Sequence, residues 1–235
     1  MRLDIVIPTR DRLEKLSRCI ASLAHNRALF HADIRCFVYF DTNIEIFKFG
    51  KEYPFLRTLI QVDTFPEYTA PKLWNYHLKQ MDADGMMYLN DDVEMLGDGV
   101  MVAKNQFVLH YPDYDGVMGF VQENLRGKFD TAPAAFGIVG RGFADRFPDR
   151  QVFCPDYHHL WIDRELELAA KHWGRFHVAE QVKLNHYHPC LGKQYEDDTH
   201  NHIRKWKGVD QLIWNSRKSK GWVWGIDFNL LGSIK

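Results

Sequence analysis

The chain opens on an unbroken apolar run, residues 3–7 (LDIVI), closed by Pro8 and Thr9. Such a run predicts a strand buried on both faces. Over residues 12–23 the apolar positions Leu13, Leu16, Ile20 and Leu23 fall at helical spacing, with Asp11 at the candidate N-terminus. Residues 34–40 read as a second strand ending at Asp41, and residues 58–62 as a third, shorter one. Residues 71–81 predict a helix with Pro71 in its first turn. A fourth strand follows Gly85 and stops at Asn90-Asp91-Asp92. The later signals are sparser: strands over 116–121, 134–139 and 182–185, a helix over 163–173, and His186-Tyr187-His188-Pro189 after the last strand.

Strands alternating with helical crossovers predict an α/β, Rossmann-like fold with a mainly parallel sheet flanked by helices. Ligands of such sheets bind beyond the carboxyl ends of the strands. Thr9 and Arg10, Asp41, and Asp91 with Asp92 stand at those ends.

Composition narrows the classes. The 235 residues are 46% hydrophobic and 26% charged, with net charge −1, enough for one large domain with its own core. Disordered, collagen-like and disulfide-framework chains are excluded, as is a globally basic nucleic-acid binder. Four scattered cysteines with no C-x-x-C pair predict reduced thiols. The start runs directly into a strand pattern without a signal-peptide h-region, and no run of about 18 apolar residues occurs. A soluble, cytoplasmic protein without a membrane span is the expectation.

Adjacent carboxylates at a strand end are oxygen ligands for Mg²⁺ or Mn²⁺, ions that also bridge diphosphate oxygens. Asn and Asp also favour turns and helix caps, so Asn90-Asp91-Asp92 alone leaves both readings open. Cys154, His158, His159, His186, His188 and Cys190 could supply zinc ligands, but their spacing forms no zinc signature.

Several blocks together resemble the GT-A glycosyltransferases, family-2-like, over residues 1–190. LDIVIPTRDRLEKLSRCIASL is similar to their opening strand and helix, which implies that Pro8, Thr9 and Arg10 face the nucleotide and Asp41 the base or ribose. PKLWNYHLKQMDADGMMYLNDD is similar to their helix, strand and D-x-D metal motif, with Lys72 and Asn75 on the helix. Asn90 replaces the first carboxylate, so Asp92 is the best-matched metal ligand, with Asp91 beside it on the diphosphate. Residues 162–166 (IDREL) resemble the E-D-x-E-L segment whose aspartate is the base of inverting members, which implies that role for Asp163, with Glu165 as the alternative. His186 or His188 resembles the late metal-binding histidine, and His188 is the choice made here.

The resemblance implies a hexosyltransferase using Mn²⁺ or Mg²⁺ to move a sugar from a nucleoside diphosphate sugar to an acceptor hydroxyl. The second segment, residues 191–235, reads as a basic, Trp-rich extension. From His200 onward it carries net charge +5, with Trp206, Trp214, Trp222 and Trp224 interleaved. Basic groups beside aromatic rings suit bound nucleic acid, and the same rings suit sugars or simple docking on the core. The acceptor classes are therefore a saccharide or glycoconjugate, or a hydroxymethylated base in DNA. Rival readings are a nucleotidyltransferase and a sugar- or nucleic-acid-binding module without activity.

Overall fold

The computed structural model describes residues 1–10, 12–25, 28–40, 49, 52–53, 58–61, 69–127, 132–192 and 197–226. Asp11 and Asp41 lie outside the described residues. Strand β1 (Leu3–Thr9) is buried at every position. Helix α1 (Leu13–His25) follows it and buries Leu16, Cys19, Ile20 and Leu23. Then come β2 (Ile34–Phe40), β3 (Thr58–Gln61), α2 (Ala70–Gln80), β4 (Gly85–Tyr88), β5 (Val93–Met95) and α3 (Gly99–His110). The second half adds β6 (Val117–Gln122), β7 (Gly137–Gly140), the single turn α4 (Arg141–Ala144), α5 (Ile162–His172), β8 (Phe176–His186), α6 (Asp198–Arg204) and α7 (Lys207–Ser219).

The strands form one sheet in the order β3-β2-β1-β4-β7-β6-β8-β5. The first four are parallel neighbours, as the alternating pattern predicts. Beyond β4 the sheet is mixed: β7 runs antiparallel to β4 and β6, and β5 antiparallel to β8. The expectation of a mainly parallel sheet thus holds for strand direction, with β5 and β7 reversed. A short antiparallel strand between β4 and β6 requires close backbone approach. A Cβ at Gly137 would lie 2.1 Å from the Met118 carbonyl oxygen, so glycine is required there.

Each face of the sheet carries its own core. One gathers Leu3, Ile5 and Ile7 with α1 and α3, and the other gathers Val6, Trp74, Leu78, Leu166 and Ala170. Helix α3 escapes the periodicity reading because it is apolar on both sides. Val100, Ala103 and Phe107 are buried, yet Leu109 on the opposite side is 78% exposed. Strand β8 is eleven residues long rather than four. Its register against β6 shifts at a bulge between Phe120 and Val121, and its last residues pair with β6 along one edge and with β5 along the other.

Helices α6 and α7 dock on this body through buried carboxylates. Asp210 of α7 is fully buried. Glu165 of α5 accepts Arg217 Nε at 2.8 Å and the Trp224 backbone N–H at 2.7 Å.

Candidate active site

The parallel register of β1 and β4, with Val6 opposite Tyr88, brings their carboxyl ends together. Thr9 Oγ1 donates to Asp91 Oδ2 at 2.7 Å. Arg12, whose carbonyl accepts the Leu16 N–H at the start of α1, adds Nε to the same oxygen at 3.0 Å and Nη2 to Asp91 Oδ1. Its Nη1 lies 3.4 Å from Asp92 Oδ2 and 3.5 Å from Asp197 Oδ2. Burial pushes the Asp91 carboxyl up to about 6, while Arg12 pulls the other way. Asp91 is thus the anchor of Arg12, behind the cavity wall rather than on it.

Asp92 is placed differently. Strand β5 begins one residue later, and Val93 pairs with His186 at the end of β8. The Tyr187 N–H closes the junction on the Asp92 carbonyl at 2.9 Å. His186 Nδ1 lies 2.8 Å from Gln122 Oε1. An amide oxygen only accepts, so Nδ1 carries the proton and Nε2 presents a lone pair. That lone pair stands 3.6 Å from Asp92 Oδ1, a buried oxygen without a hydrogen-bond partner among the described residues. His200 stands nearby: its backbone N–H donates to Asp197 Oδ1 at 3.1 Å, and its ring Nε2 lies 3.9 Å from Asp92 Oδ2.

Burial pushes His186 down to about 4, and it also lowers His200. Burial opposes ionisation of Asp92, but the positive charge it faces, from His186 and Arg12, outweighs this and holds it below the usual carboxylate range. Near neutral pH His186 is uncharged, so Arg12 and, more weakly, Lys15 supply the positive charge that keeps Asp92 ionised. The His186 lone pair facing a carboxylate, with the His200 imidazole alongside, suits a divalent cation, and Gln122 fixes the His186 ring from behind. Among the described residues no three His, Cys, Asp or Glu side chains already close into a metal cage.

His188, the histidine chosen from the sequence, is exposed at the rim, and its Nδ1 accepts the Cys190 N–H at 3.2 Å. Its ring lies 5.1 Å from that of His186. In the neutral form its remaining nitrogen carries the proton, so it is His186 that offers a lone pair to Asp92. The H-x-H spacing marks both residues, and only the β5–β8 register separates them.

These groups open into a cavity of about 230 Å³ whose wall includes Pro8, Thr9, Arg10, Arg12, Asp92 and Asp163. Asp163 sits in the first turn of α5, where Oδ1 accepts the Arg164 N–H at 2.9 Å and burial raises its pKa. Lys72 and Asn75 on α2 do not line this cavity. Asn75 is a brace, with Nδ2 donating to the Phe153 carbonyl at 2.6 Å and Oδ1 accepting the Phe153 N–H at 2.9 Å. Glu165 also faces away, held by Arg217 and Trp224.

The C-terminal extension, read from its sequence as a segment that binds an acceptor or docks on the core, supplies part of this wall. His200, Ile203 and Trp206 line the cavity. Asp210 accepts the backbone N–H groups of His158 (2.9 Å), His159 (2.9 Å) and Leu160 (2.8 Å), the loop leading to Asp163. Trp206 stacks on His158 at 3.8 Å, and Trp214 on Trp161 at 5.4 Å. Trp224 donates its indole N–H to the Gln151 carbonyl. Three of the four tail tryptophans therefore pack against the body, and Lys220 lies over the ring of the fourth, Trp222.

No protein-family model matches the sequence, and no curated protein matches it significantly. Solved structures do match. S. aureus TarS aligns at 17% identity and a TM-score of 0.58, over 78% of this chain and 36% of that one. The mannosyltransferase PcManGT from Pyrobaculum calidifontis, in complex with GDP-Man and Mn²⁺, aligns at 12% identity and 0.58, over 78% and 56%. GalNAc-T7 with UDP, GalNAc and Mn²⁺ aligns at 10% identity and 0.60, over 79% and 44%. The chain spans less than two thirds of the length of each. Among the described residues no helix is long and apolar enough to cross a membrane. The sheet order, the acidic pair at the end of β4 and these likenesses give one conclusion: the chain has the fold of the GT-A glycosyltransferases.

Proposed function

We propose that this chain transfers a sugar from a nucleoside diphosphate sugar to an acceptor hydroxyl, with inversion at the anomeric carbon. The observation that carries the reading is Asp92, whose orphaned Oδ1 faces the His186 lone pair in the same cavity as Asp163. The ligands named with the structural neighbours, UDP-GlcNAc, GDP-Man and Mn²⁺, support it.

Asp92 and His186, with His200 beside them, would hold Mn²⁺ or Mg²⁺. Bound there, the ion supplies Lewis-acid stabilisation of the departing diphosphate. Pro8, Thr9 and Arg10, which line the cavity, would face the nucleotide, and the family resemblance assigns Asp41, outside the described residues, to the base or ribose. Asp163 accepts the proton of the acceptor hydroxyl as its oxygen bonds to the anomeric carbon. The bond from that carbon to the diphosphate oxygen breaks, and its electron pair leaves with the nucleoside diphosphate. The raised pKa of Asp163 makes it a stronger base than a solvated carboxylate. The four cysteines form no disulfide among the described residues, which fits a reducing, cytoplasmic setting.

One observation favours a second reading. Arg12 pairs with both Asp91 and Asp92, so the acidic pair already has a cation of its own, as a binding module without turnover would allow. Thermal unfolding with nucleoside diphosphates and nucleotide sugars, each with and without Mn²⁺, followed by an assay for released nucleoside diphosphate, separates the two. Mn²⁺-dependent stabilisation with release supports the transferase. Stabilisation indifferent to Mn²⁺ and without release establishes the binding module, and pyrophosphate as product establishes a nucleotidyltransferase.

A further inference from the structure

Three buried polar atoms on residues lining the cavity have no hydrogen-bond partner among the described residues: Thr69 Oγ1, Trp74 Nε1 and Trp161 Nε1. A buried donor left unpaired is costly, and a bound acceptor oxygen removes that cost. An indole N–H only donates, and its complement is an acceptor oxygen. The half-buried Trp161 supplies the aromatic surface of this part of the wall, while Trp74 is packed tightly behind it, 5.3 Å from Tyr88 and 4.9 Å from Phe153. Aromatic faces combined with isolated donors match a pyranose, which has a C–H face and a rim of hydroxyl oxygens.

Trp161 has the most constrained position. It precedes α5 with φ of 71°, the left-handed region, which is strained for a side chain of this size. Two contacts from the C-terminal helix α7 hold it there: the parallel stack on Trp214 (interplanar angle 8°) and the grip of Asp210 on the Leu160 N–H. Two residues further on stands Asp163, the group that must touch the acceptor hydroxyl if the transferase reading holds.

We infer that Trp161, with Trp74 and Thr69, forms the acceptor subsite, that it takes a pyranose ring, and that Trp214 is a positioning residue which holds Trp161 in place. The inference rests on the transferase reading only for the word acceptor. A nucleic-acid acceptor fits less well, because it needs a basic track for its phosphates. The segment around Trp161 that lines the cavity is His158, His159, Leu160, Ile162 and the acidic Asp163, while Arg12 is engaged by three carboxylates.

The test is titration of the full chain, with UDP or GDP and Mn²⁺ present, against the methyl pyranosides of glucose, galactose, mannose and N-acetylglucosamine. A DNA duplex carrying 5-hydroxymethylcytosine forms a separate arm. Nucleotide affinity is measured on the same samples. At least one methyl pyranoside should bind. Trp161→Phe, which keeps a ring and removes the N–H, should weaken it about 5- to 10-fold, as expected for one lost hydrogen bond, and leave nucleotide affinity unchanged. Trp214→Ala should weaken the sugar at least as much. Loss of nucleotide binding with the Trp161-dependent sugar site intact would overturn the transferase reading and leave the subsite standing. The subsite is overturned if nucleotide binds and no pyranoside does, if Trp161→Phe binds sugar as the native chain does, or if only the DNA binds.

Discussion

Asp210 accepts the Leu160 backbone N–H at 2.8 Å across fifty residues of sequence, and with the same two oxygens it holds His158 and His159. A wholly buried carboxylate facing three backbone donors is a latch between α7 and the loop that carries Trp161 and Asp163 toward the cavity. The C-terminal helices are therefore part of the cavity wall.

Breaking that latch should be costly. Asp210→Ala leaves three N–H groups without their acceptor, and a loss of about 3–5 kcal/mol is expected from removing one side of a buried charged contact. Urea denaturation of the full chain measures it. A loss below about 1 kcal/mol, the range of a solvated pair, would show that water replaces the carboxylate.

Asp92→Asn keeps the shape of the side chain and removes its charge. In the native chain, a donor nucleotide with Mn²⁺ at about 100 times its dissociation constant should raise Tm by roughly 5–10 °C. In the variant the Mn²⁺-dependent part of that rise should vanish. An unchanged response to Mn²⁺ would remove Asp92 from the metal site.

Asp163→Asn should lower turnover by about 10²- to 10⁴-fold while leaving nucleotide binding intact, the signature of a lost general base. The base works deprotonated, and burial raises its pKa above the ordinary 3.8. The native rate should therefore fall on acidification from a pH above the usual carboxylate range. A variant with normal turnover would return the role to another group.

His159 supplies a stability test. Burial pushes it from 6.5 down to about 4, so the unfolded chain binds its proton more tightly than the folded one. Its contribution is fully present above 6.5 and is lost as pH falls from 6.5 to about 4. The loss is at most about 3.4 kcal/mol for this group, the difference between 6.5 and about 4 at about 1.36 kcal/mol per unit. Chemical denaturation across that range should show a smaller decline in His159→Asn than in the native chain.

The first half of the fold was legible because β1 and β4 are buried on both faces and α1 on one, and those two periods are written in the order of residues. Thr9, Asp91 and Asp92 stood at strand ends in the sequence and stand there in the structure. The metal-side histidine was legible only as a choice between His186 and His188. Asn75 and Glu165 carried polar side chains at suggestive positions, and nothing local shows that one braces Phe153 and the other holds Arg217. Arg12 lay in view in the run PTRDR, yet its role depends on three carboxylates drawn from two distant segments.

The order of residues by itself determined the α/β class, the parallel half of the sheet and the acidic end of β4, since burial pattern and turn chemistry act over a few neighbours. Tertiary structure alone decided that β5 pairs with β8 and so sets His186 against Asp92. It also decided that α6 and α7 close the cavity through Asp197, Asp210 and stacked tryptophans. Those outcomes depend on strand register and on buried charges finding partners far along the chain, and no local period encodes either.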